Sequence, residues 1–294
     1  MTGGHPAPAE RDARPLGTPG LNPPLAEEAL TRFILAQVEA AGAAGVVVGL
    51  SGGIDSAVVA TLCVRALGPA RVLGLMMPSP RSDQRDATDA GELARGLGMT
   101  TEVVPLSVLL EGFASLAARP GRVREGNFTA RARMALLYDR AARDARLVAG
   151  TSNKTELLLG YTTLWGDMAA AFALIGDLYK SQVRRLAEHL DVPAAIREKA
   201  PSAGLWPGQT DEEELGATYE DLDALLHHYA DLRYDAPALL AAGFDEEFVR
   251  ATLTRVHAQE FKRRMPVVPK LSTRTVGHDF LYPRQWAGPW GGHP

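Results

Sequence analysis

Only one cysteine, Cys63, stands among the 294 residues. That excludes an intramolecular disulfide framework, a zinc site built from several thiolates, and the two-thiol relay of sulfur transfer, and it suits a reducing cytoplasmic setting. There is no run of about 18 apolar residues and no basic stretch leading into an apolar segment with a cleavage site, so neither a membrane span nor a signal peptide is supported. The formal net charge is only −4, which gives no general attraction to nucleic acid. Lysine is scarce too: of 31 basic residues only Lys154, Lys180, Lys199, Lys262 and Lys270 are lysines. Each is a marked choice against a background of arginine.

What is present points to one large α/β domain, for which 46% hydrophobic content is sufficient. Residues 1–24 carry many prolines and glycines and few large apolar groups, so they are expected to form a disordered tail. The domain is expected to span 25–265. Leu30, Phe33, Ile34, Val38 and Ala41 follow a helical spacing, and Val46 to Leu50 then read as a buried strand. The alternation continues with helix 56–67, strand 71–77, helix 84–97, strand 101–105, helices near 107–118 and 127–144, and strand 146–150. Such an order predicts an α/β fold: a doubly wound, Rossmann-like parallel sheet flanked by helices. Residues 151–180 read as ligand-facing loops around one short helix. A helical C-terminal part follows over 211–264, with Asp211 expected as N-cap and Glu214 at the capping-box position. Residues 266–294, with Trp286 and Trp290, are expected to form a C-terminal tail.

Between the strand and the helix at 56 lies Ser51-Gly52-Gly53-Ile54-Asp55-Ser56. Paired glycines let backbone N–H groups approach phosphate oxygens, and the helix N-terminus adds partial positive charge. Gly49, Leu50, Gly52, Gly53 and Ile54 supply this backbone, while Ser51 and Ser56 add hydroxyl donors. Asp55 beside phosphate requires an intervening divalent cation, which makes it a candidate magnesium ligand. No Gly-Lys-Ser/Thr closes the loop, so it is not a Walker motif. A plain strand-to-helix turn capped by Asp55 or Ser56 reads the same way.

Two further features favour phosphate chemistry. Gly150-Thr-Ser-Asn-Lys-Thr-Glu156 repeats the strand, loop and helix arrangement, with Thr151 as a donor and Glu156 as a second metal ligand. Lys180 falls at an expected helix start, where a scarce cation can face a ligand.

The Ser-Gly-Gly-x-Asp-Ser loop resembles that of the ATP pyrophosphatases, which include the GMP, asparagine and argininosuccinate synthetases, tRNA-modifying enzymes and NAD synthetases. Asn127-Phe-Thr-Ala-Arg131-Ala-Arg-Met, Gly150 to Glu156, Tyr161-Thr-Thr-Leu-Trp-Gly-Asp167-Met-Ala and Lys180 look like the NAD synthetase series in order and spacing. The likeness continues through Lys199-Ala-Pro-Ser202-Ala and Glu260-Phe-Lys262-Arg263-Arg264.

This resemblance implies that the nicotinate carboxylate of deamido-NAD is adenylated by ATP with magnesium, and that ammonia then displaces AMP. It implies Asp55 and Glu156 as metal ligands, with Lys180 stabilising the charge that builds on phosphate. Ser51, Ser56, Thr151 and Ser202 would position the nucleotide, and Arg131, Asp167 and Lys262 would contact deamido-NAD, with Arg131 or its neighbour Arg133 facing the ligand. It also implies a homodimer. Leu164 and Phe261 depart from the lysine and histidine common in ammonia-dependent members. Glutamine-dependent members carry a long N-terminal amidase, whereas only residues 1–24 precede the first helix here, so free ammonia is the expected nitrogen source. Small molecules, rather than nucleic acid or membrane, are the expected partners. Other readings of the same loop are a different adenylating amidotransferase, a tRNA-modifying relative, or a non-catalytic adenylate-binding regulator.

Overall fold

A run of three valines sets the centre of the molecule. Strand β1 (Gly45–Gly49) is Gly-Val-Val-Val-Gly, with every valine fully buried, as β-branched residues covered on both faces of a sheet should be. The computed structural model describes residues 17, 19–117, 120–202, 204 and 209–281. Most of the proposed N-terminal tail, together with Trp286 and Trp290, lies outside the described residues.

Helix α1 (Pro23–Ala40) precedes β1, and then α2 (Ile54–Leu67), β2 (Val72–Met76), α3 (Gln84–Gly96) and β3 (Thr100–Val103) follow. After α4 (Ser107–Leu116) and α5 (Arg122–Arg143) come β4 (Arg146–Gly150), α6 (Lys154–Leu159), β5 (Phe172–Ala173), α7 (Lys180–His189) and α8 (Ala194–Arg197). The C-terminal part is helical: α9 (Asp211–Leu215), α10 (Tyr219–Leu226), α11 (Ala236–Ala241) and α12 (Glu246–Ala258).

All strand pairs are parallel and the sheet order is β3-β2-β1-β4-β5. Val46 stands opposite Val72 on one side and Leu147 on the other. The chain therefore winds outward in both directions from β1, as expected of a doubly wound fold, and a crevice opens beyond the carboxyl ends of β1 and β4. Ile34, Val58, Leu62, Leu93, Val183 and Leu186 form the core on one face. On the other, α4 and α5 cover Val47, Leu75 and Val148 with Leu110, Phe128 and Leu137. Edge strand β3 is pinned by Glu102, which pairs with Arg140 at 2.8 Å and Arg143 at 2.5 Å on α5.

Several boundaries differ from the sequence reading for local reasons. Helix α1 starts at Pro23, because Asn22 caps it and the prolines occupy its first turn. The stretch ahead of it is not free: Leu21 packs on the core and the Gly20 carbonyl accepts from Gln182 at 3.0 Å. Helix α5 begins at Arg122 rather than near 127, and it runs through a buried Gly126. Strand β5 has two residues, too few to show any period. Asp211 is not an N-cap: Thr210 is, and the Asp211 carboxylate is buried.

Cys63 lies on the inner face of α2, fully buried, and desolvation pushes its thiol up to about 12. A core thiol without a neighbouring base has no nucleophilic role. A thiol reagent added to native protein is therefore expected to leave Cys63 unmodified, while denaturant should release one reactive thiol per chain. Rapid native labelling would contradict this packing.

Candidate active site

The phosphate loop takes its shape from Gly52. Its φ is +78°, and a Cβ there would come within 2.3 Å of the Asp86 carbonyl oxygen. Only glycine meets both conditions. Ser51 and Ser56 brace the turn: their hydroxyls lie 3.1 Å apart, Gly53 N–H donates to Ser51 Oγ at 3.2 Å, and Ser56 Oγ donates to the Gly53 carbonyl at 2.9 Å. Ser56, expected as a ligand donor, is buried inside the loop. In this state it holds the loop's form. Gly53 N-caps α2, so that Asp55 lies in the helix's first turn.

Opposite stands the loop after β4. Asn153 caps α6 in a capping box with Glu156: Glu156 N–H donates to Asn153 Oδ1 at 3.0 Å and Asn153 N–H to Glu156 Oε2 at 3.2 Å. The spare amide of Asn153 donates to Asp55 Oδ1 at 3.1 Å. One buried asparagine thus ties the two loops together across the switch point. Its capping role was readable from the spacing Asn153-x-x-Glu156, but its bridge to Asp55, 98 residues away, was not.

Lys180, the first residue of α7, closes the arrangement. It is 3% exposed, and its ammonium pairs with Asp55 and lies 3.6 Å from Glu156 Oε1. Burial alone would lower its affinity for a proton, but Asp55 and Glu156 override burial and raise it above the ordinary lysine range. Burial first and Asp55 second push the Glu156 carboxyl up to about 8, against the pull of Lys180. Two carboxyl groups facing one ammonium in a desolvated spot do not ionise together freely, so Glu156 tends to keep its proton, and a cation bound between them would favour its ionised form.

Among the described residues no cluster of three or more His, Cys, Asp or Glu is arranged to hold a metal alone. Asp55 and Glu156 nevertheless fit magnesium, which takes hard oxygen donors and commonly uses one or two carboxylates plus substrate phosphates.

Gly49, Leu50, Ser51, Gly53, Ile54, Asp55, Ser56, Thr151, Glu156, Asp167, Lys180 and Ser202 all line one cleft of about 310 Å³. The structure brings together most of the expected residues, drawn from five separate segments. Gly52, Arg131 and Lys262 lie outside that lining. Arg131 is exposed and donates to the Leu164 carbonyl at 3.1 and 3.2 Å. Lys262 donates to the carbonyls of Gly160 and Thr162, each at 2.7 Å. Both hold the 160–164 loop by its carbonyls. Arg133 lines the cleft instead, with one weak bond, to the Met77 carbonyl at 3.4 Å. Helical spacing alone could not decide between 131 and 133, two positions apart and about 200° around α5.

Asp167 accepts from Thr163 N–H at 2.6 Å, so it caps a turn as well as facing the cleft. It keeps access to water but is ringed by protein. Desolvation raises its carboxyl, and the Thr163 N–H, Lys262 and Arg133 oppose that rise. Lys199 was not proposed as a site residue, yet it lines the cleft and joins Asp86 at 2.8 Å, Asp89 at 2.5 Å and the Gly52 carbonyl at 3.3 Å. Its scarcity among the basic residues was the available signal.

The comparisons agree with this geometry. The NAD synthase family model matches residues 26–266. This chain belongs to the NAD synthase family. It is 50% identical to the NH(3)-dependent NAD(+) synthetase of Pelodictyon phaeoclathratiforme, covering 89% of this chain and 95% of that protein. Among solved structures, an NMN synthetase from Francisella tularensis superposes with a TM-score of 0.75 at 36% identity, covering 85% of this chain and 99% of that one. An NH3-dependent NAD synthetase from Campylobacter jejuni gives 0.74 at 36% identity, covering 85% and 100%.

The underused guanidinium in the cleft of this NAD synthase family member yields a direct comparison. Arg133→Ala is expected to raise the KM for the acid substrate about tenfold or more, the worth of a charge-assisted hydrogen bond. Arg131→Ala should change that KM much less. Steady-state kinetics of the two purified variants give the answer, and the reverse ranking would refute the placement.

Proposed function

We propose that the chain is an ammonia-dependent ligase that forms the carbon–nitrogen bond of NAD from deamido-NAD, ATP and ammonia. The observation that carries this reading is the convergence of Asp55, Glu156 and Lys180 at the switch point, beside a glycine loop at a helix N-terminus.

In the first step a carboxylate oxygen of deamido-NAD attacks the α-phosphorus of ATP. An acyl–phosphate bond forms and the bond to pyrophosphate breaks. In the second, ammonia attacks the activated carbonyl carbon, the C–N bond forms, AMP leaves, and one proton goes to solvent. Magnesium, bound by Asp55 and Glu156, would neutralise charge on the phosphates and on departing pyrophosphate. The Gly52–Ser56 backbone and Thr151 hold the phosphates, and Ser202 contributes a hydroxyl at the cleft's edge. Lys180 would give its charge to the oxygens where negative charge develops. Asp167 and Arg133 meet the deamido-NAD side, while Arg131 and Lys262 fix the loop that carries Asp167.

Incubation with ATP, magnesium, ammonium and deamido-NAD should yield NAD, AMP and pyrophosphate in equal amounts. Nicotinate mononucleotide in place of deamido-NAD is expected to turn over more slowly. A preference for the mononucleotide would redirect the reading to the NMN synthetase branch, and no AMP with either acid would sink it. Asp55→Asn and Glu156→Gln should stay folded and lose turnover by at least about a hundredfold, the scale expected when transition-state charge stabilisation is removed.

We also propose a cytoplasmic homodimer. Among the described residues no helix is long and apolar enough to cross a membrane. Val103, Val108, Leu109, Leu116 and Val123 are all exposed on β3, α4 and α5, and apolar groups exposed on consecutive elements are candidates for a contact between two copies. Light scattering should give twice the mass of one chain, with Leu116→Glu or Val123→Glu shifting it toward the monomer. A monomeric wild type would refute the dimer.

A further inference from the structure

We propose that Asp223 is a positioning residue that ties the first turns of α6 and α7 together and so presents Glu156 and Lys180 to one another. This rests on the reading of Glu156 and Lys180 given above.

Asp223 is 0% exposed on α10, and among the described residues no lysine or arginine pairs with it. A buried carboxylate without a cation is costly unless its oxygens are fully used. Both are used. Oδ1 accepts from the Thr155 hydroxyl at 2.5 Å, and Oδ2 accepts from Ser181 N–H at 2.7 Å. The Thr155 hydroxyl oxygen in turn accepts from Lys180 N–H at 3.0 Å. Each anchored residue adjoins a proposed functional one: Thr155 precedes Glu156, and Ser181 follows Lys180.

The two helix starts are 26 residues apart in sequence, and the connection between them includes the two-residue strand β5. Within it Lys154 N–H donates to the Leu178 carbonyl at 2.8 Å, which brings the two starts together. The Asp223 carboxylate adds a brace from a third element, α10, to the residue before Glu156 and the residue after Lys180, and its charge also suits the positive N-terminal end of α7. Outer-layer groups that orient metal ligands in this way typically matter about 10- to 100-fold in affinity or rate.

Asp223→Asn keeps an oxygen for Ser181, but its amide cannot accept the Thr155 proton. Thr155→Val removes the hydroxyl at nearly constant volume, and Thr155→Ser restores it. Asn and Val variants are expected to lower kcat about 10- to 100-fold and to raise the magnesium concentration needed for half-maximal rate, with the KM for deamido-NAD nearly unchanged. Thr155→Ser should behave as wild type. Leu110→Ala, in the α4 core that covers the other face of the sheet, serves as a control of matched melting temperature and should leave the magnesium requirement unmoved. Wild-type kcat and magnesium dependence in Asp223→Asn would overturn the proposal, as would the same losses in the Leu110 control. A crystal structure of Asp223→Asn reads positioning without any assay. A widened Lys180–Glu156 gap, against the 3.6 Å of the intact protein, supports the proposal even if wild type makes no NAD. An unchanged gap overturns it.

Discussion

The pairing of Lys180 with Asp55 and Glu156 is the constraint around which the cleft is arranged. These charges sit where water is largely excluded, so each demands a partner, and the partners come from α2, α6 and α7. That requirement explains much of the surrounding chemistry. Asn153 spans from the α6 cap to Asp55, and Asp223 spans from α6 to α7. The phosphate loop is pressed against Asp86 so tightly that position 52 admits no side chain. A lysine held in this way lines the same cleft as the glycine loop, with its charge next to both carboxyl groups.

The fold serves this arrangement by its winding. Because β1 is flanked by β2 on one side and β4 on the other, the loops leaving β1 and β4 diverge and leave a crevice between them. The buried valines of β1 hold that geometry, and the helical C-terminal part closes one flank through Tyr219 and Asp211. Tyr219 donates to Asp211 at 3.0 Å, and Lys180 lies 5.2 Å from the Tyr219 ring centroid.

What the sequence disclosed follows from what is local. Alternating helices and strands gave the parallel sheet, because period and length are written in neighbouring residues. The glycine loop, Asp55, Glu156 and Lys180 were legible because each lies at an element boundary where side-chain type matters. Arg131 was favoured for a ligand contact with Arg133 left open; Arg133 lines the cleft and Arg131 does not, since only the packing of α5 on β1 and β4 decides which side looks inward. Asp211 read as a helix cap from its spacing, but tertiary burial made it the acceptor for Tyr161 and Tyr219. Asp223 carried a faint signal, an acid on the same helical face as Tyr219, Leu222 and Leu226. Its partners come from 68 and 42 residues away, so no local pattern could name them.

The central claim is that Asp55 and Glu156 together hold the cation. The most direct measurement is manganese binding, followed by electron paramagnetic resonance, with and without a non-hydrolysable ATP analogue. Wild type should bind the ion tightly only with nucleotide present, because two carboxylates need phosphate oxygens to complete the shell, and Glu156→Gln should weaken that binding clearly. Equal affinity in wild type and Glu156→Gln would contradict the account.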